Sequence, residues 1–182
     1  MIATIRRVPS TLQKCVRATA ATRAVHVEAK IEQLGYKLPG EPAAPKGSYT
    51  NFIKARDGKT HFFAGHLPQP AGGEMILGTL GENMSVEDGQ EAARACGLQL
   101  LASMKKAAGG DLDKVTKIVK LVGFVNSTKE FTAQPSVING CSDLMGEVFG
   151  TDIGRHARSA VGVNVLPLGV AVEIEAIVEI DV

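Results

Sequence analysis

The sequence has no tryptophan and only eight aromatic residues among 182. It therefore lacks the interleaved aromatics on which single-stranded nucleic acid stacks. Cysteine is equally scarce. Cys15, Cys96 and Cys141 are odd in number and far apart, which excludes a disulfide framework and a CxxC thiolate centre and points to a reducing compartment. No apolar run approaches the ~18 residues of a membrane span, so none is expected. Acid is missing from the whole start of the chain, where Glu28 is the first acidic residue.

What fills that acid-free start is basic. Residues 1–25 hold Arg6, Arg7, Lys14, Arg17 and Arg23, and Ile5, Leu12 and Val16 can share one helical face. Arg-rich, hydroxyl-rich and acid-free is the pattern of a mitochondrial presequence, whereas the apolar h-region of a secretory signal is missing. A basic arm touching nucleic acid is the alternative. The expected division is a presequence over 1–25 and one domain over 26–182, with a mitochondrial address, or otherwise a cytoplasmic one. Removing those five cations leaves 15 basic and 19 acidic residues, a net charge of −4. The chain as a whole is 45% hydrophobic, and the 26–182 stretch suits one globular domain with a real core. Its net acidity argues against a nucleic-acid partner.

Along the domain, "HVEAKIEQLG" predicts a short helix with Val27, Ile31 and Leu34 on one face and Gly35 as its stop. The Pro-rich 37–48 reads as loop. Runs flanking Asp57-Gly58 predict a hairpin, and Met75–Thr79 could add a short strand. "SVED" from Ser85 is a capping box with Asp88 at N3. It opens a helix whose stripe is Ala93, Cys96, Leu100, Met104 and Ala107, ended by Gly109-Gly110. Residues 113–126 read as a strand. Pro135 starts a second helix with the stripe Val137, Cys141, Leu144 and Val148, capped at Gly150. Two strands close the chain, separated by "LPLG". The order β-β-(β)-α-β-α-β-β predicts an α+β domain, a mixed sheet with two main helices on one face. The other face would find its cover in copies of the same chain.

The closing strands, "ARSAVGVNVLPLGVAVEIEAIVEI" over 157–180, are apolar yet carry Arg158, Glu173 and Glu175. A charge in a sheet interior is costly unless paired or employed. Alternation places Val170, Val172, Ile174, Ala176, Val178 and Ile180 on the core face, with Ala171, Glu173, Glu175, Ile177 and Glu179 on the other. In "ARSAVGVNV" it places Ser159, Val161, Val163 and Val165 toward the core, and Arg158, Ala160, Gly162 and Asn164 away from it. The charges then form either cross-strand ion pairs on a solvated face or a pocket.

This segment resembles the closing signature of the YjgF family, also called Rid or L-PSP proteins. That signature is an Arg-Ser pair on a strand, then Leu-Pro, then a strand containing E-I-E-A. "FFAGHLP" over 62–68 is similar to the family's early strand ending in Gly-x-hydrophobic-Pro, and the likeness covers roughly 47–182. The resemblance implies a chorismate-mutase-like fold, a homotrimeric barrel with clefts between subunits, and hydrolysis of reactive 2-imino acids to 2-oxo acids and ammonia without a cofactor or metal. It implies that Arg158 grips the substrate carboxylate and that Glu173 acts on the attacking water. It further implies that Tyr49, Gly65 and His66 border the cleft with Asn139. Arginine offers a planar, permanently charged fork that a carboxylate fits bidentately, and a carboxylate can orient water and take its proton. The chain departs from the pattern at Ala64, where many deaminating members carry a serine, and at the longer segment 67–84.

The remaining candidates read as structure. His26, His61, His66 and His156 show no metal-ligand spacing and read as surface or strand-end residues, with His66 nearest the cleft. Cys96 and Cys141 read as buried packing residues. Two other functions stay open: a non-catalytic binder of small carboxylates, which Ala64 favours, and an L-PSP-type endoribonuclease.

Overall fold

The structure, a computed structural model, describes residues 26–182; the presequence expectation falls outside them. Helix α1 (Val27–Gln33) buries Val27 and Ile31 and stops at Gly35, whose φ of +77° belongs to the left-handed region. Crossed hydrogen bonds fix it to the distant turn at Leu112–Lys114. Val27 N–H donates to Asp113, and Leu112 N–H donates to Glu28. Next come the hairpin strands β1 (Phe52–Lys54) and β2 (Thr60–His66). Asp57 shapes their turn by accepting from the backbone N–H groups of Lys59 and Thr60.

The expected strand at Met75–Thr79 is not formed. That segment makes a single bridge, Leu77 to Val170, because glycines at 72, 73, 78 and 81 interrupt any extended ladder. Helix α2 (Val86–Ala107) opens on the expected capping box, with Ser85 Oγ accepting from Asp88 N–H and the Asp88 carboxylate accepting from Ser85 N–H. Strand β3 (Val115–Asn126) follows, then α3 (Gln134–Gly154), which is interrupted at Gly150 (φ +75°) and resumes for a last turn. Strands β4 (Ala157–Val163) and β5 (Val172–Ile180) complete the order.

The strands form one five-stranded sheet, β1-β2-β5-β3-β4, antiparallel except for the parallel β3–β4 pair. This is the expected α+β architecture. Helices α2 and α3 cover one face. Ala93, Cys96, Leu100 and Met104 of α2 meet Val137, Cys141, Leu144 and Val148 of α3 over Val172, Ile174 and Val178 of β5, all buried. Contact between the two helices is close enough that a side chain at Gly140 would collide with the Gln90 carbonyl. Among the described residues, no helix is long and apolar enough to cross a membrane.

The opposite face has no cover among the described residues. Its register rows set Phe62 beside Ile177, Val122 beside Glu175, and Phe124 between Glu173 and Val161. Ile53, Phe62 and Val161 remain 60%, 45% and 44% exposed. β5 alternates as expected, with Glu173, Glu175 and Ile177 on this open face. β4 reverses the expectation. Arg158, Ala160 and Gly162 pair with Leu121, Gly123 and Val125, whose side of the sheet is the helix-covered one, and the valine at 161 points to the open face. The cause is space: α3 passes so near that a Cβ at Gly162 would meet Ser127 and Gln134, and one at Gly123 would meet Ile138.

Candidate functional site

The sequence-predicted residues fall into two groups on opposite faces of the sheet. The first is built on α3 and β4. Pro135, Asn139 and Ser142 recur at i, i+4 and i+7 along α3, so one helix face presents all three to the edge strand. Arg158 reaches across to them. Its Nη1 donates to Asn139 Oδ1 at 2.9 Å and Ser142 Oγ at 3.0 Å, and its Nη2 donates to the Pro135 carbonyl at 3.1 Å. These bonds engage three of the five guanidinium N–H groups and leave Nε–H and one on Nη2 for a ligand. The guanidinium borders an open groove of about 600 Å³ that His156, Arg155, Thr151 and Glu147 also line.

Behind Arg158, His156 lies with Nδ1 2.6 Å from the Gly154 carbonyl and Nε2 3.0 Å from Ser142 Oγ. Burial holds its pKa below the ordinary histidine value, and the nearby cations Arg158 and Lys117 push the same way.

The second group lies around the irregularity between Phe63 and His66 of β2. Glu173 of β5 projects from the open face so close over Gly65 that a Cβ at that position would collide with its carboxylate. Glycine is therefore a spatial requirement here. Half-burial raises the Glu173 carboxyl above its ordinary pKa, and the like charge of Glu175 raises it further. Tyr49, 52% exposed, borders both the small cavity containing Gly65 and the apolar depression containing Ala64, Phe62 and Glu175.

His66 borders that cavity too, but its ring is buried on the helix side. Nε2 is 2.6 Å from Ser103 Oγ and Nδ1 is 2.7 Å from the Ala64 carbonyl. Burial lowers its pKa, and both ring nitrogens are engaged, so it supports the β2 bend.

Arg158 thus meets Asn139, and Glu173 meets Gly65, which shares a cavity with Tyr49, but the sheet separates the two groups within one chain. The expectation that Arg158 and Glu173 share a face is corrected by the reversed β4. Of the histidines read as surface or strand-end residues, His61 and His66 stand near the two ends of β2 but are buried, His61 being 1% exposed between Phe52 and Phe63. Ser142 and His156 were not singled out from sequence; the signal available was the spacing of Pro135, Asn139 and Ser142 on one helix face opposite an arginine strand. Cys96 and Cys141 are buried as expected, and burial pushes both thiols up, Cys141 to about 12.

Residues 28–180 match the family model described as "YjgF/chorismate_mutase-like, putative endoribonuclease". The chain is 48% identical over 155 residues to Protein TCP17 of Trypanosoma cruzi, across 85% of this chain and 94% of that relative. Among solved structures it is similar to the protein Atu1372 of Agrobacterium tumefaciens, with 40% identity and a TM-score of 0.77 over 86% of this chain and 94% of that one. It is also similar to the YjgF gene product of E. coli, with 26% identity and a TM-score of 0.54 over 79% of this chain and 97% of that one.

Proposed function

The chain belongs to the YjgF/chorismate mutase-like family, and from that premise we propose that it hydrolyses 2-imino acids to 2-oxo acids and ammonia at clefts between subunits. The observation that carries this reading is Arg158. A guanidinium tied by three bonds to one helix, with two donors left facing a groove, is a pre-oriented carboxylate anchor. Glu173 supplies the other half. Because the two groups lie on opposite faces, a complete site takes Arg158 from one copy and Glu173 from another, and the uncovered apolar face is the surface on which copies dock. A homotrimer is the assembly proposed.

In the cleft, Arg158 grips the carboxylate and sets the imine carbon beside a water held by Glu173. The water oxygen bonds to the imine carbon while Glu173 takes its proton. The C=N electron pair moves to nitrogen, which takes that proton back from Glu173. The resulting carbinolamine passes its hydroxyl proton to the amino nitrogen, by way of the same carboxylate, and ammonia leaves as the C=O bond forms. A carboxyl with a raised pKa is the better base for this exchange. No step calls for redox chemistry. Ala64 offers no hydroxyl to the substrate and favours a second reading, a carboxylate binder without turnover. The net charge of −4 over 26–182 speaks against the endoribonuclease reading. A mitochondrial address, carried by residues 1–25, belongs to the same proposal.

The test generates 2-imino acids with an amino-acid oxidase and follows their loss by trapping. Acceleration by the protein is expected, with Arg158→Ala requiring roughly a hundredfold more substrate for the same rate. Binding of 2-oxo acids with no acceleration would leave the binder reading standing, and salt-sensitive RNA cleavage by the purified chain would favour the nuclease.

A further inference from the structure

His156 stands two residues before Arg158, and its hydrogen bonds dictate its tautomer. The Gly154 carbonyl, 2.6 Å from Nδ1, is an acceptor only, so Nδ1 carries the proton. Nε2 of the neutral ring is then a lone pair, and Ser142, 3.0 Å away, donates its hydroxyl proton to it. The Ser142 oxygen in turn accepts from Arg158 Nη1. One relay runs from Arg158 through Ser142 to His156 and ends on the backbone.

The charges around the ring are mixed. Arg158 and Arg155 come from β4 and its approach, and Lys117 comes from β3, its ammonium held by the Asp152 carbonyl. Asp143 and Glu147 of α3 border the same groove, and Asp152 lies at the end of that helix.

Consider what one more proton does. A protonated ring turns Nε2 into a donor toward Ser142 Oγ, whose two lone pairs can accept from His156 and Arg158 together. The guanidinium keeps its bonds to Asn139, Ser142 and Pro135, so its orientation survives. What changes is charge: a second cation stands behind the fork that receives the anion. In the free protein, burial and the neighbouring cations disfavour the charged ring, against the opposing bond to the Gly154 carbonyl. A bound carboxylate neutralises Arg158 and removes part of that opposition. We propose that His156 couples carboxylate binding at Arg158 to the uptake of a proton, through the Ser142 relay and the shared groove. The inference rests on the anchoring role of Arg158 proposed above. Linkage makes it reciprocal, so the factor by which a proton tightens the ligand is the factor by which the ligand tightens the proton.

The experiment titrates the full chain with 2-oxobutanoate, which stays ionised throughout, at pH 5.5 and 8.0. Binding is read by calorimetry and the histidine ring resonances by NMR, with His156 identified through His156→Gln. Wild-type protein is expected to bind about 3–10-fold more tightly at pH 5.5, from one added charge at intermediate dielectric. The proton affinity of His156 rises on saturation by at least that factor, because the free ring is only partly charged at pH 5.5. His156→Gln, whose amide oxygen still accepts from Ser142, flattens the pH dependence.

Glu173 also titrates and faces the ligand in the proposed assembly, so the comparison is repeated in Glu173→Gln. A pH dependence that disappears there but survives His156→Gln overturns the inference, as does saturable binding with an unmoved His156 midpoint. Binding that is absent, or indifferent to Arg158→Ala, overturns the anchoring reading and this coupling with it.

Discussion

The two faces of the sheet are made from the same strands and have opposite needs. Under the helices, β5 offers Val172, Ile174, Ala176, Val178 and Ile180, all buried within one chain. One residue out of step, the same strand offers Glu173, Glu175, Ile177 and Glu179 to a face that no described residue covers. The first face is complete at the level of the folded chain. The second carries exposed Ile53, Phe62 and Val161 around two carboxylates, a composition that suits neither core nor solvent. Apolar surface of this kind marks association, and a carboxyl already raised by half-burial is a group waiting for chemistry or a partner. The covered face thus holds the chain's own core, while the open face is left for association.

Substitutions on each face sharpen that division. Gly140→Ala strikes the covered face, where the new methyl collides with the Gln90 carbonyl between α2 and α3. Backbone cannot yield as a side-chain tip can, so about 3 kcal/mol or more is expected to be lost in urea unfolding. A near-wild-type midpoint would mean the helices stand farther apart. Phe62→Lys strikes the open face. The chain should fold, while the proposed assembly, followed by sedimentation, weakens by roughly thirtyfold or more, as for loss of a central aromatic anchor. An unchanged mass distribution would remove this face from the interface.

The smallest effect lies outside both faces, at the β1–β2 turn. Hydrogen bonds from the Thr60 hydroxyl and from the backbone N–H groups of Lys59 and Thr60 lower the Asp57 carboxyl to about 2 from 3.8. A folded pKa below the unfolded one contributes stability that is present above about pH 4 and lost as pH falls toward 2. Asp57→Asn should flatten the acid-side slope of stability in that window, lowering stability slightly at neutral pH and leaving it nearly unchanged near pH 2.

How much of this was legible in the sequence depended on whether the signal was local. The Ser85 capping box, the Asp57-Gly58 turn and the alternation of β5 each depend on near neighbours, and each is found as read. β4 was misread because its alternation is weak and its cover is not local. Ala160 and Gly162 look like the spare side of a strand, yet they face inward because α3 passes too close for anything larger. The same reversal moved Arg158 off the face of Glu173. Asn139 was found through family likeness, whereas Ser142 and His156 were passed over because their meaning lies in a contact between a helix and an edge strand.

The separation of Arg158 and Glu173 by the sheet has a consequence for inheritance. Under the proposed assembly each cleft borrows its two halves from different copies, so a defective allele does not act on its own polypeptide alone. A subunit without the arginine spoils the cleft to which it should lend that group, yet still completes its neighbour's with its glutamate. Two alleles, each inactive by itself, can then restore one another when they share a cell.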